Sequence, residues 1–115
     1  MTMRTFKKVV MDGDLDGSFS SDPISIHDYN DCGVQIKVVT TDNEGQFNIE
    51  VTNDPSDDNM WDVIDFDPVI PPLAAADLLL TLSMVDVPFT HIRVVYSETA
   101  PGTGSVKIIA FGKEA

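Results

Sequence analysis

The stretch MDGDLDGSFS, Met11 to Ser20, places Asp12, Asp14 and Asp16 at alternate positions and runs them into Gly17. A calcium-binding EF-hand loop begins this way, with hard oxygen ligands spaced along a tight turn. That loop must finish on a bidentate Glu, but the matching position here is Pro23, which offers no ligand. The flanking residues also read as strands rather than helices, so an EF-hand is excluded. The aspartates are read as an acidic connection facing water. A looser calcium site built from Asp12, Asp14 and Asp16, with Asp22 as a fourth ligand, is the alternative. No resident metal and no cofactor is expected.

A second acidic run, NDPSDDNMWDVIDFD, holds Asp54, Asp57, Asp58, Asp62, Asp65 and Asp67. Paired carboxylates can do general acid–base work when one sits in an apolar pocket that raises its pKa. A stretch this polar predicts no such pocket. It reads as an exposed loop tied to the core by Trp61. The two histidines, His27 and His91, and the single cysteine, Cys32, lack the spacing signature of a nucleophile and its base. Cys32 reads as a small buried hydrophobe. The glycines of Gly102-Thr103-Gly104 precede a strand rather than a helix, so they form a turn and not a phosphate cradle. Nothing in the chain argues for an enzyme.

These side chains sit on segments with a period of two. GVQIKVVTT sets Val34, Ile36 and Val38 on one face, and GQFNIEVT does the same with Phe47, Ile49 and Val51. TTDNEGQ lies between them, and the pair is read as a hairpin. HIRVVYSE and SVKIIAFG form a second such pair across TAPGTGS. Short strands are expected at Thr5 to Met11 and Pro23 to Tyr29, with WDVID a weaker candidate. PPLAAADLLLTLSMVDVP reads as a strand with Leu78, Leu80, Leu82 and Met84 on one face; a helix opened by Pro71 and Pro72 is its alternative. The expected fold is an all-β antiparallel sandwich, jelly-roll-like, with seven or eight strands. Residues 1–20 are read as a basic N-terminal arm with an acidic loop, and residues 21–115 as the sandwich.

With 115 residues the chain supplies one core, and 43% hydrophobic content is enough to build it. No apolar run approaches the ~20 residues of a membrane helix, and the N-terminus lacks the apolar stretch of a secretory signal. A net charge of −12, from 19 acidic and 7 basic residues, argues against nucleic acid as a partner. Three of the basic residues, Arg4, Lys7 and Lys8, fall in the first eight positions. Such an arm could dock on an acidic neighbour, or simply keep a terminus solvated.

The order of phrases carries a resemblance. SSDPISIHDYNDCGVQIKVV, GQFNIEVTNDPSDDNMWDVID and FTHIRVVYSETAPGTGSVKIIAFGKE follow one another from about residue 21 to 113. The diagnostic positions are Ile24, Gly45, Phe47, Ile49, Thr52-Asn53-Asp54, Trp61, Arg93-Val94-Val95-Tyr96, Gly102-Thr103-Gly104 and Gly112-Lys113. In this arrangement the chain resembles a family of small virion structural proteins encoded by tailed bacteriophages. The resemblance implies a β-sandwich or jelly-roll protein of the capsid decoration or cement type, assembled in the host cytoplasm and carried on the virion. Neck, tail or fibre is the other location it implies.

On that reading the partners are the major capsid protein or other virion proteins, and the chain is a homo-oligomer such as a trimer. No membrane or nucleic-acid partner is expected. Met3, Arg4, Phe6, Lys7 and Lys8 are the candidate coat contacts. A host-surface module that binds carbohydrate through Trp61, Tyr29 and acidic side chains is a further alternative.

Overall fold

The computed structural model describes residues 4–85 and 87–114. The chain is all-β. Its strands are β1 (Thr5–Asp14), β2 (Phe19–Ser20), β3 (Ile24–Ser25), β4 (Asp31–Val39), β5 (Glu44–Thr52), β6 (Asp62–Val63), β7 (Leu73–Ala74), β8 (Leu78–Met84), β9 (His91–Ala100) and β10 (Ser105–Lys113). One antiparallel sheet, here sheet A, has the order β1-β10-β4-β8. Sheet B has the order β2-β9-β5-β6, with β3 also paired to β9 and β7 also paired to β5.

The ten strands fill eight places. β2 and β3 are two pieces of one broken strand on β9, and β6 and β7 are two pieces of another on β5. With each pair merged, the pairings are first with eighth, second with seventh, third with sixth and fourth with fifth. This is the jelly-roll arrangement. The sandwich expected from the alternating sequence is therefore the observed fold, and Leu78–Met84 is a strand rather than a helix.

Both expected hairpins are corrected. β4 pairs with β10 and β8, whereas β5 pairs with β9, β6 and β7, so residues 40–43 carry the chain from one sheet to the other. β9 and β10 likewise lie in different sheets, joined across residues 101–104. Asp, Asn and Gly serve a two-strand turn and a sheet-to-sheet corner equally well, because both need local side-chain partners and unusual backbone angles. What decides is that each strand has one apolar face, and stacking β4 over β5 buries both faces. The segment read as an arm and loop is also revised. Its described part is mainly β1, antiparallel to β10 along its length with a bulge at Val9/Met11. The strand expected over Pro23 to Tyr29 shrinks to Ile24–Ser25, because the Tyr29 amide turns back to the Ile26 carbonyl at 2.9 Å.

The core lies between the two inner faces. Val34, Ile36 and Val38 of β4 meet Phe47, Ile49 and Val51 of β5, and Ile92, Val94, Val106 and Ile108 complete the layer. Each such side chain contributes about 1.5–3 kcal/mol by leaving water. Phe47 and Tyr96 pack with ring centroids 4.7 Å apart, and Phe19 closes the group at 5.8 Å from Tyr96. Leu15, alone between two aspartates, is 1% exposed and plugs one end of the sandwich.

Candidate interaction surface

At the Leu15 end, four connections pass between the sheets and are bonded into one cap. Asn43 is fully buried there. Its Oδ1 accepts from Thr40 Oγ1 at 2.6 Å and from the Gly104 amide at 2.9 Å. Its Nδ2 donates to the Leu15 carbonyl at 3.2 Å and to Glu98 at 3.0 Å, and its carbonyl accepts from the Ala75 amide at 2.9 Å. One residue, through its side chain and its carbonyl, thus ties together residues from β1–β2, β4–β5, β7–β8 and β9–β10. Asp42, Asp77 and Glu98 join the cap as hydrogen-bond acceptors.

The candidate coat contacts are spread along the edge strand β1 rather than gathered on a free arm. Met3 lies outside the described residues. Arg4 grips Glu114, with Nε and Nη2 donating to Oε2 at 3.0 and 2.9 Å and its amide donating to Oε1 at 2.9 Å. These bonds hold the Glu114 carboxyl below the usual carboxylate range. Phe6 turns toward the core and packs on Tyr29, ring centroids 4.6 Å apart. Lys7 and Lys8 are exposed.

The acidic residues do not converge. Asp12, Asp14, Asp16 and Asp22 are all exposed, and Asp12 stands across from Lys107. Among the described residues, no group of three His, Cys, Asp or Glu side chains is placed to hold a metal ion. In the second run, Asp57 caps a short 3-10 turn, Asp58–Met60, by accepting from the Asn59 amide at 2.9 Å. Trp61 packs on the outer face of sheet B rather than on the core: the Arg93 guanidinium lies 4.2 Å from its ring centroid while bonding Glu50 through Nε at 2.7 Å. That contact occupies a face of the Trp61 ring, and Tyr29 is engaged separately with Phe6.

Cys32 is buried on the inner face of β4, where desolvation first and the Asp31 charge second push its thiol up to about 11. The His27 ring meets Ser25 Oγ at 3.1 Å and the His91 ring meets Thr90 Oγ1 at 2.8 Å.

The surface that sequence reasoning missed is the outer face of sheet A. Register puts Lys107 directly opposite Lys37, with Asp12 beyond one and Leu79 beyond the other. The adjoining rows bring Val9, Ile109 and Gln35 together, then Lys7, Phe111, Gly33 and Ser83. A groove of about 320 Å³ lies among Gln35, Lys37, Leu79, Lys107 and Ile109. Phe111 lies over Gly33, where an added Cβ would stand 2.7 Å from its ring. The signal was present in KIIAF, where apolar residues occupy both faces of a strand that should alternate.

No family model and no curated protein matches the sequence. Among solved structures, the chain is similar to the SPBc2 prophage-derived protein YomS. The TM-score is 0.55 at 7% identity, covering 97% of this chain and 96% of that one. A structure of infectious bursal disease virus, Gt strain, aligns with a TM-score of 0.48 at 12% identity. The VP2 subviral particle of the same virus aligns with a TM-score of 0.34, also at 12% identity. Each of the two viral alignments covers 98% of this chain but 37% of the viral chain. The likeness to YomS, at full length in both directions, shows a shared fold.

Proposed function

We infer that this chain is a structural protein of a phage particle, most specifically a capsid decoration or cement protein that bridges coat subunits as a homo-oligomer. The observation that carries this reading is the end-to-end likeness in fold to a prophage-derived protein, over 97% of this chain and 96% of that one. The surface chemistry supports a binding role over a catalytic one. Sheet A presents lysines and apolar side chains in rows, which suits adhesion to another protein face. A decoration protein stabilises a shell by binding the assembled form in preference to free subunits.

In this reading Lys7 and Lys8 of β1, with Met3, Arg4 and Phe6, contact the coat. Deleting them all would strip Phe6 from Tyr29, so the cleaner variant is Lys7→Glu with Lys8→Glu. Quantitative mass spectrometry of purified particles should find the wild-type chain at a copy number comparable to the coat protein. The double variant should be several-fold depleted while its circular dichroism is unchanged. A few copies per particle would assign the chain to neck, tail or fibre instead, and absence from particles would end the reading.

A further inference from the structure

Among the described residues, the large apolar side chains most exposed to solvent fall on two surfaces. Val9, Val39, Leu79 and Val85 lie on or beside the outer face of sheet A, with Leu79 65% and Val85 71% exposed. Met60, Val63 and Val69 lie on the segment along the sheet B edge, with Val69 78% exposed.

The charges are also unevenly spread. Lys7, Lys37, Lys107 and Lys113, four of the seven basic residues, project from the outer face of sheet A, alongside Asp12, Asp14 and Asp31. The other segment carries six aspartates between Asp54 and Asp67, and its neighbouring cation, Arg93, is already held by Glu50. Lys37 and Lys107 stand directly opposite each other, a like-charge pairing that costs stability; Asp12 lies beyond Lys107, whereas Lys37 has Leu79 on its other side. Among the described residues neither lysine forms an ion pair. The acidic segment runs beside β8, where Asp65 and Asp67 share a groove with Ser83 and Val85, whereas Lys37 and Lys107 face a separate groove with Gln35, Leu79 and Ile109.

We propose that the outer face of sheet A docks on the acidic segment around Asp65 and Asp67 of a second copy of this chain. Such a contact is head-to-tail, because each copy offers two different surfaces, and a rotation that closes gives a ring. Leu79 would then meet Val63 and Val69, and the carboxylates would enter between Lys37 and Lys107. This names the surfaces of the homo-oligomer in the reading above. Its test uses isolated protein, so its failure leaves the particle role untouched.

The test is sedimentation velocity on three samples. Wild type should sediment as a multiple of the subunit. Lys37→Glu with Lys107→Glu makes the sheet A groove acidic like the segment, and Asp65→Lys with Asp67→Lys reverses the charge at the two docking positions of the segment. Each variant alone should be monomeric, with circular dichroism showing the fold retained. An equimolar mixture of the two should regain association, because the two reversed surfaces complement each other and the two native surfaces do the same. A wild-type chain monomeric to millimolar concentration overturns the proposal. So does association that survives either reversal, or a mixture that stays monomeric.

Discussion

The Oδ1 atom of Asn43 accepts the backbone amide of Gly104 at 2.9 Å across 61 residues of sequence. The bond locks two sheet-to-sheet corners to each other, in a place where hairpins would have left them apart. The rest of the cap is arranged around it.

Replacing Asn43 with Ala leaves the Gly104 amide and the Leu15 carbonyl buried without partners. Each stranded group costs about 1–3 kcal/mol, so a loss of about 3 kcal/mol is expected. The measurement is the urea midpoint at constant slope. Asn43→Asp keeps the acceptor but removes the donor and adds a charge beside Glu98, so it should destabilise at neutral pH and partly recover in acid.

Gly104→Ala tests the same corner by volume. A Cβ there would stand 2.7 Å from Asn43 Oδ1, Thr40 Cβ and the Val39 carbonyl, all parts of a rigid cap. A cost of about 2–4 kcal/mol is expected in thermal or urea unfolding. Gly13→Ala is the control. A Cβ at Gly13 meets nothing within 4 Å, so its effect should stay within about 0.5 kcal/mol.

Cys32 should be nearly inert in the folded protein. Its thiol is shifted from 9.0 to about 11, so the thiolate fraction near pH 8 falls about 100-fold, and burial adds a steric barrier. Maleimide labelling should be slow in buffer and fast in urea. Folded stability from this group is present below the ordinary thiol pKa and is lost as pH rises through the folded value. Rapid labelling of native protein at pH 8 would contradict the burial of β4.

The Arg4–Glu114 clamp predicts a local acid response. Glu114 is depressed first by the Arg4 side-chain bond and then by the Arg4 amide. A depressed carboxylate stabilises the fold above its unfolded pKa, and that contribution is lost as pH falls through the folded value. Hydrogen exchange of the first β1 amides should therefore accelerate as the pH falls below the ordinary carboxylate range, after correction for intrinsic rates. In Glu114→Gln those amides should exchange faster at neutral pH, with the acid step removed.

Much of the architecture was legible because alternation is a direct imprint of a two-sided sheet. Val34, Ile36 and Val38 point inward as their spacing required, and Leu78 to Met84 follow the same rule. Partner choice was not legible. Asp42, Asn43 and Gly45 look alike whether the next strand lies alongside or overhead, and the burial of Asn43 emerges only when three distant corners meet around it. The candidate contacts fared similarly. Arg4 looked free because Glu114, its partner, is 110 residues away in sequence. Lys37 and Lys107 looked unrelated until register set them side by side.

Thr5 stands opposite Lys113, and the Glu114 amide reaches the Arg4 carbonyl at 3.0 Å. A peptide of a few residues could therefore join Glu114 to Arg4 without bending either strand, and the backbone could be reopened in the exposed turn at Asp57 and Asp58. The same adjacency means that payloads fused at either position would project from one corner, remote from the Asn43 pole. Tags could thus decorate one tip of the brick while both broad flanks stay clear.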